Sequence, residues 1–315
     1  MLSYRHAPWQ LELIYARFVA FSDEELQRIG LTTACHDTDL IPKVPDAGFV
    51  RDGVQLMHNG VRVVEGGYYG EWMTEVIRRL RGHHEPQEEL AFHTVVERLA
   101  ATADPEPVMV ELGAFWAYYS LWFKQRIPGG RVYLVEPDPA YLDVGRRNFE
   151  LNDAEGTFHQ AAVGRDRQAP MAFECESDGV SRPVPVEGLR SMLDRFGLEH
   201  VDVLFSDVQG AEWPLLDGGR DELTAGRVRF LVVSTHHHTI SGDPLTHYRC
   251  LELLRELGAH VIVEHTVAES YSGDGLVVAS FDERDRDLTV VTSRCRADAS
   301  LFGDPLRDLA TVWRA

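Results

Sequence analysis

One stretch, residues 107–123, constrains the fold of this chain more strongly than any other. It begins as an apolar run that ends at Glu111, and it breaks at Gly113. Four bulky apolar side chains at helical spacing then follow, at Phe115, Tyr118, Tyr119 and Trp122. This pattern predicts a strand, a tight turn and a helix, which form the first unit of a doubly wound α/β sheet. Because ligands of such sheets bind beyond the carboxyl ends of the strands, we expect the turn at Gly113 to face a ligand.

The glycines of this turn indicate which ligand it accepts. A dinucleotide site uses the spacing G-x-G-x-x-G, in which the second glycine admits the pyrophosphate. Here Gly113 is followed by Ala114 and Phe115, so a pyrophosphate would be accommodated poorly. S-adenosylmethionine has no phosphate, and a single glycine with a small neighbour suffices for it. The turn therefore predicts an S-adenosylmethionine site.

The second half of such a site is an acidic residue at the end of the next strand, where it binds the ribose hydroxyls. Residues 131–136 form an apolar run that ends in Glu136, and Pro137-Asp138-Pro139 opens the next helix. Glu136 follows Gly113 by 23 positions (136 − 113), close to the spacing of about 20 that such sites show. We expect Glu136 and Gly113 to flank one cofactor.

Strand and helix patterns alternate through the rest of the chain. Strands are predicted at residues 157–163, 201–207, 227–234, 260–264, 276–279 and 288–291, with a short strand at 171–174. Helix-length segments separate most of them, which favours parallel crossovers with one antiparallel strand near the end. The sequence thus predicts an α/β fold, a doubly wound Rossmann-like sheet over residues 106–315, preceded by a helical and hairpin region over residues 1–105.

The N-terminal region carries local signals. Apolar residues at helical spacing predict an amphipathic helix from Pro8 to Phe21. Asn59-Gly60 separates two apolar runs and predicts a β-hairpin. Tyr68 and Tyr69 follow in a glycine-rich segment, which is either a plain turn or a lid that contacts the substrate.

Residues 82–89 join two predicted helices and contain two adjacent histidines and three glutamates. Adjacent histidines seldom ligate one ion, whereas acidic residues are favourable in the first turn of a helix. We therefore favour helix capping over a metal site for this segment.

Composition excludes several classes of partner. The chain has 31 basic and 50 acidic residues, a net charge of −19, which argues against nucleic acid and anionic membranes as partners. The cysteines stand apart, with no C-x-x-C pair, at positions 35, 175, 250 and 295. This spacing favours reduced thiols and a cytoplasmic protein. The sequence also shows no apolar run long enough for a membrane span, and its N-terminus is unlike a signal peptide. A homodimer is the default expectation for its assembly.

Residues 107–214 resemble the FkbM-type methyltransferases, class I S-adenosylmethionine-dependent enzymes often found in natural-product biosynthesis. Three runs carry the resemblance. The family shows D-x-G-A-N-x-G-x-x-S where this chain has residues 111–120, and it shows D-x-E-G-x-E where this chain has residues 207–212. The third run is Val135-Glu-Pro-Asp-Pro139 with Asn148 and Asn152. Departures from the pattern are Glu111 for Asp, Phe115 for Asn, Ala117 for Gly and Gln209 for Glu.

The resemblance implies a class I methyltransferase sheet with the strand order 3-2-1-4-5-7-6. It also implies a cofactor site, formed by Glu111, Gly113, Ala114, Phe115, Ser120, Glu136, Ala161 and Ala162. Gln209 would lie beside the reaction centre, and we expect it to contact the substrate together with Tyr68 and Tyr69.

The acceptor chemistry is predicted at the ends of two neighbouring strands. One strand ends in Asp207, and the next runs into the histidines at 236–238. If that strand continues through them, His236 and His238 face one way and His237 the other. The leading hypothesis is that His236 or His238 removes the proton of an acceptor hydroxyl, with Asp207 as its orienting partner.

Two alternatives remain for these residues. Asp207, His236 and His238, with Asp243 or His247, have the ligand types of a divalent metal ion that would lower the pKa of an acceptor hydroxyl. Alternatively, the histidines form a polar loop and Asp207 caps the segment after it.

The favoured activity is methylation of a hydroxyl on a small secondary metabolite or sugar. The other candidates are N-methylation of a natural product or peptide, an NAD-dependent oxidoreductase, and a binding protein without catalysis. The sequence does not name the acceptor.

Overall fold

The computed structural model describes residues 21–102, 106–166, 169–296 and 298–303. The helix predicted from Pro8 to Phe21 falls almost wholly on residues 1–20 and so lies outside the described residues. Within the described part of the chain, no helix has both the length and the apolar character that a bilayer crossing requires. The four cysteines are buried and unbridged.

The region before the sheet is built of short elements. It contains α1 (Asp23–Thr32), β1 (Val50–Arg51), β2 (Val54–Leu56), β3 (Arg62–Val64), α2 (Gly70–Arg79) and α3 (Pro86–Ala100). The side chains of Ser22 and Glu25 cap α1 reciprocally. Strands β2 and β3 pair antiparallel around Asn59-Gly60, which confirms the predicted hairpin, and β1 adds a third strand at its edge.

The α/β part begins at residue 108. In chain order its helices and strands are β4 (Val108–Leu112), α4 (Tyr118–Arg126), β5 (Arg131–Val135), α5 (Pro139–Leu151), β6 (Thr157–His159), β7 (Ala162–Val163), β8 (Met171–Glu174), β9 (Ser181–Val184), β10 (Val186–Glu187), α6 (Leu189–Phe196), β11 (Val201–Ser206), α7 (Glu212–Gly218), α8 (Arg220–Thr224), β12 (Val228–Thr235), α9 (His238–Ser241), α10 (Thr246–Glu256), β13 (His260–His265) and β14 (Gly275–Ser280).

Seven of these strands form the central sheet, in the order β6-β5-β4-β11-β12-β14-β13. The strands from β6 to β12 run parallel, and β14 is antiparallel to both of its neighbours. This order is the one that the resemblance implies, so the predicted Rossmann-like class I methyltransferase sheet is confirmed. Strands β4, β11 and β12 are buried along their whole length because helices cover both faces of a parallel sheet.

Two predicted strands differ from the structure. The run at 157–163 divides, because its second half leaves the central sheet and pairs as β7 with β10. The strand predicted at 288–291 is wrong. That segment lies beside β13 with a backbone hydrogen bond from Val290 to Ile262 of 3.2 Å, and Val291 is 89% exposed.

The region before the sheet packs on it through a shared apolar core. Side chains of α1, β3 and α3, including Ile29, Val63 and Phe92, lie in the same buried cluster as Met109 of β4 and Phe205 of β11. A second cluster on the opposite face joins the sheet to α6, α7 and α10. The N-terminal region therefore packs directly against the central sheet.

Candidate active site

A cavity of about 850 Å³ opens at the carboxyl ends of β4, β5 and β11. Most of the predicted site residues line it, namely Tyr68, Tyr69, Glu111, Gly113, Ala114, Phe115, Glu136, Ala161, Ala162, Asp207 and Gln209. Ser120, His236 and His238 are not part of this lining as the described residues define it. A single cavity thus unites the predicted cofactor and substrate residues.

Gly113 makes the first turn of this cavity. Its φ angle is +74°, and a Cβ atom built on it would overlap the carbonyl oxygen of Asp207. The backbone of Asp207 also donates to the carbonyl of Leu112 at 3.0 Å, so the ends of β4 and β11 lie close together. Only glycine allows both the positive φ and this close approach.

Two residues with side chains also adopt positive φ in this turn, where the resembled family has asparagine and glycine. The φ angles of Phe115 and Ala117 are 37° and 61°. Phe115 stacks on Tyr141 with a ring separation of 3.5 Å. Such backbone strain persists only where the surroundings enforce it, and it concentrates at functional sites.

Glu136 holds the turn from the neighbouring strand. Its carboxylate accepts hydrogen bonds from the backbone of Phe115 at 3.1 Å and of Asp138 at 2.9 Å. Burial raises the pKa of Glu136 to about 8, although these two donors act in the opposite direction. The acid at the end of β5 and the turn after β4 are thus in direct contact.

Glu111 lies one strand away and is equally buried. Its carboxylate accepts from the backbone of Ser120 at 3.0 Å, and burial raises the pKa of Glu111 to about 8. The Ser120 side chain is fully buried behind this contact. Ser120 therefore supports Glu111 through its backbone.

The lining of the cavity suits the cofactor that the sequence predicts. The turn after β4 has one glycine where a pyrophosphate site needs more. Arg165, the arginine that lines the cavity, is ion-paired with Asp217 and so is not left to bind a pyrophosphate. Two buried carboxyl groups, Glu111 and Glu136, stand at the strand ends where an ammonium group and ribose hydroxyls need acceptors. These residues fit S-adenosylmethionine better than a dinucleotide.

Asp207 and His236 lie together, as the sequence predicts. The Nε2 atom of His236 is 3.2 Å from Asp207 and 3.6 Å from Asp274, and its Nδ1 atom is 2.6 Å from Glu212. Burial alone would lower the pKa of His236, but the carboxylates of Asp274, Glu212 and Asp207 raise it well above its ordinary value. A ring in this setting is a cation that donates from both nitrogens.

His238 takes a different position. Strand β12 ends at Thr235, so it does not continue through the histidines as the alternation argument assumed. His238 begins α9, and its ring lies 4.1 Å from that of His237.

The further ligands of the metal hypothesis have partners elsewhere. Asp243 pairs with Arg249, and His247 lies 2.9 Å from the Thr235 hydroxyl. Within the described residues, the structure brings Asp207 and His236 together and gives these other groups separate contacts.

Sequence reasoning missed the chemistry of the loop before α3. His84 and Glu85 line the cavity. Glu89 accepts from the ring and the backbone of His84, at 2.6 and 2.7 Å, and from the ring of His83. Burial opposes ionisation of Glu89, but the two histidines hold its pKa well below the usual range. Glu89 thus binds the backbone of the loop before α3, whose N-cap residue Glu85 makes no side-chain capping hydrogen bond, while His84 and Glu85 line the cavity.

A nearby cluster of His58, His83 and Glu89 has the ligand types of a metal site, with candidate ligand atoms within 4.8 Å of one another. However, the rings of His58 and His83 are stacked nearly parallel, 4.1 Å apart with an interplanar angle of 15°. An ion in the plane of one ring would lie outside the plane of the other. The cluster is therefore arranged as a stacked pair rather than as a ligand set.

Tyr68 and Tyr69, in the segment predicted to be either a plain turn or a lid, both line the cavity. Tyr68 stacks on Trp116 with 4.5 Å between the rings. The Tyr69 hydroxyl accepts from the amide of Gln209 at 3.1 Å. The segment between β3 and α2 is thereby attached to the turns after β4 and β11.

Comparisons with known proteins find similarity to methyltransferases. A family model described as the methyltransferase FkbM domain matches residues 100–261. Methyltransferase sdnD of Sordaria araneosa is 28% identical over 178 residues, which cover 43% of this chain and 68% of that protein. The 2-O-methyltransferase NoeI of Sinorhizobium fredii (strain NBRC 101917 / NGR234) is 26% identical over 172 residues, covering 46% of this chain and 70% of that protein.

Solved structures show partial likeness. A precorrin-6y C5,15-methyltransferase from Geobacter metallireducens has a TM-score of 0.39 at 17% identity, covering 61% of this chain and 88% of that one. The METTL16 methyltransferase domain has a TM-score of 0.44 at 14% identity, covering 81% and 92%.

Proposed function

Since this chain belongs to the FkbM methyltransferase family, we propose that it methylates a hydroxyl group of a small secondary metabolite or sugar. The family makes the chain an S-adenosylmethionine-dependent methyltransferase. The observation that carries the proposal is the single cavity in which Gly113, Glu136 and Asp207 meet. Its relative NoeI is named as a 2-O-methyltransferase, which supports a hydroxyl acceptor.

The cofactor would be held at the strand ends. In this proposal Glu136 binds the ribose hydroxyls, Glu111 accepts from the ammonium group, and Ala161 and Ala162 flank the adenine. The turn of Ala114 and Phe115 supplies the surface against which the nucleoside lies. When bound, the cofactor supplies an electrophilic methyl group on a sulfonium.

Positioning would supply most of the rate acceleration. A displacement in which nucleophile, methyl group and sulfur must align gains as much as roughly 7–11 kcal/mol from a well-oriented complex. Tyr68, Tyr69 and Gln209 would hold the acceptor, because they join the covering segment to the turns that carry the cofactor residues.

Asp207 is the group we propose to accept the proton or hydrogen bond of the acceptor hydroxyl. It lines the cavity, and the buried cation of His236 lies behind it at 3.2 Å. Since the pKa of His236 is raised, this ring is a cation that donates to Asp207, and it serves as a positioning residue rather than as the base. A divalent metal ion, or a role for His238, remains a weaker variant of this proposal.

N-methylation is the second candidate, and the many carboxyl groups of the cavity favour it. The family match leaves the NAD-dependent oxidoreductase and the non-catalytic binding protein without support.

Isothermal titration calorimetry tests the proposal. We expect S-adenosylhomocysteine to bind and NAD⁺ not to bind, and Asp207→Asn to retain S-adenosylhomocysteine binding. NAD⁺ binding without S-adenosylhomocysteine binding would reject the proposed function. Loss of methyl transfer on chelation, restored by a divalent ion, would favour the metal variant over Asp207 alone.

A further inference from the structure

The cavity is strongly one-sided in charge. Among the described residues that line it, seven are carboxylic acids and one is an arginine. The acids are Glu85, Glu111, Glu136, Asp138, Glu174, Glu176 and Asp207. Arg165 is already paired with Asp217, so its charge is balanced outside this set.

These acids divide between two parts of the cavity. Glu111, Glu136 and Asp138 stand at the ends of β4 and β5, where the cofactor is proposed to bind. Glu85 comes instead from the loop before α3, in the N-terminal region that covers the sheet. It lines the cavity from this covering region rather than from the strand ends.

Glu85 is largely removed from water, and the basic group beside it is the ring of His84. The residue is 7% exposed, and its Oε2 atom lies 3.4 Å from both the Tyr119 hydroxyl and the His84 ring. These are distances at which hydrogen bonds are weak. The His84 ring is itself held at its other nitrogen by Glu89, at 2.6 Å.

The electrostatics agree with this geometry. Burial raises the pKa of Glu85 well above its usual range, and the neighbouring carboxyls of Glu88, Asp207 and Asp274 raise it further. A positive charge placed beside Glu85 would oppose both effects, because it would stabilise the ionised carboxylate.

Aromatic rings lie around His84, the residue next to Glu85. Tyr68, Trp116 and Tyr119 lie 5.5, 4.9 and 5.6 Å from the ring of His84, measured between ring centres. The faces of tyrosine and tryptophan attract cations, and more strongly where water is excluded. Carboxyl groups and aromatic faces together are the surroundings that bind an organic ammonium group.

We propose that the acceptor of this methyltransferase carries a protonated amine, which binds at Glu85 between the rings of Tyr68 and Tyr119. This inference rests on the proposed function and names the substrate class of the same site. It assigns Glu85 as a specificity residue, and it excludes acceptors whose recognition depends on a phosphate or carboxylate group.

The test is calorimetry on the full chain saturated with S-adenosylhomocysteine, whose sulfur is uncharged. Two sets of probes each contain an amine, a neutral compound and an acid on a common ring. The first set is tyramine, 4-ethylphenol and 4-hydroxyphenylacetate, and the second is glucosamine, glucose and glucuronate. We expect the amine of at least one set to bind about tenfold more tightly than its neutral partner, as an ion pair with a cation–π contact implies, and the acid to bind most weakly. Amine binding should also release protons, seen as a dependence of the enthalpy on the buffer.

Glu85→Gln should abolish the preference for the amine while leaving the affinity for S-adenosylhomocysteine unchanged. The control is Glu150→Gln, an exposed position on α5, which should keep the preference. Equal or tighter binding of the neutral or acidic probes, or no binding of either amine in the millimolar range, overturns the inference. Absence of S-adenosylhomocysteine binding to the unaltered chain would instead reject the proposed function, so the two failures are distinguishable.

Discussion

Gly113 determines how closely the two central strand ends approach each other. We expect Gly113→Ala to weaken S-adenosylhomocysteine binding by more than tenfold and to lower the free energy of unfolding by about 3 kcal/mol, since the new methyl group meets the Asp207 carbonyl as well as a positive φ. Calorimetry and urea unfolding measure the two effects.

Gly226→Ala is the matched control for this change. Gly226 has a φ of +71° and no atom within 4 Å of a built Cβ, so it reports the backbone strain alone. We expect about 1 kcal/mol of destabilisation and unchanged cofactor affinity. Equal losses in the two variants would show that the close approach at Gly113 has no special weight.

His236 makes the stability of the fold depend on pH. Its pKa is raised in the folded chain, so its stabilising contribution is complete below its unfolded pKa of about 6.5 and is lost as the pH rises through the folded value. We expect His236→Asn to lower the free energy of unfolding by about 3 kcal/mol near neutral pH, because three carboxyl groups lose their cation.

The difference between the two proteins should shrink in urea unfolding as the pH rises through the raised pKa of His236, because the ring of the unaltered protein then loses its proton. His36→Asn is the control, since His36 is exposed and pairs with the exposed Asp39. A loss that stays the same at every pH would mean that His236 acts through packing alone.

Helix α3 begins where a buried charge network meets the cavity. Glu89 lies in its first turn, and its depressed pKa stabilises the fold above the unfolded value of about 4.3, an effect that is lost as the pH falls through the folded value. We expect Glu89→Gln to lower the free energy of unfolding by about 3 kcal/mol at neutral pH and by much less in acid.

Glu97→Gln, on the same helix, provides the comparison. Glu97 forms a partly exposed ion pair with Arg126, which is worth less than about 1 kcal/mol. Urea unfolding of both variants at neutral and acidic pH measures the difference. Equal losses at neutral pH would contradict the importance given to the loop before α3.

Elements that are buried on both faces were the easiest to predict from sequence. Strands β4 and β11 are mostly apolar and fully buried, and a run of that kind is typical of a central parallel strand. The run at 157–163 has the same apolar character, yet its last residues pair with β10. Periodicity reports that a strand forms, and it carries no information about which distant strand becomes its partner.

The site residues, too, were predictable where a local pattern marks them and were missed where the contact joins distant parts of the chain. Gly113, Glu136 and Asp207 were predictable because each stands at the end of a recognisable strand. The contacts of His236 with Asp274 and of Glu85 with Tyr119 join residues far apart in sequence, and no local pattern marks them. The assumption that β12 continues through His238 failed because the strand ends at Thr235 and a helical turn follows.

The attachment of the N-terminal region to the cofactor turn depends strongly on one buried side chain. Asn148 accepts from the backbone of Val64 in β3 and donates to the carbonyl of Trp116, both at 2.8 Å. Asn148→Leu keeps the volume but leaves both backbone groups unpaired. We expect a loss of about 3 kcal/mol in the free energy of unfolding and weaker S-adenosylhomocysteine binding, since residues on both sides of this link line the cavity.

Asn152→Leu is the control, because Asn152 holds the same strand, β3, without contacting the turn after β4. Asn152 lies one helical turn further along and bonds the backbone of Arg62 at a solvent-exposed position. Its loss should cost about 1 kcal/mol and leave cofactor binding intact, because it does not touch the turn after β4. Calorimetry and urea unfolding compare the two variants. If Asn148→Leu binds S-adenosylhomocysteine as tightly as the unaltered protein, the covering region and the cofactor turn respond to ligand independently, and the covering region then acts on the acceptor alone.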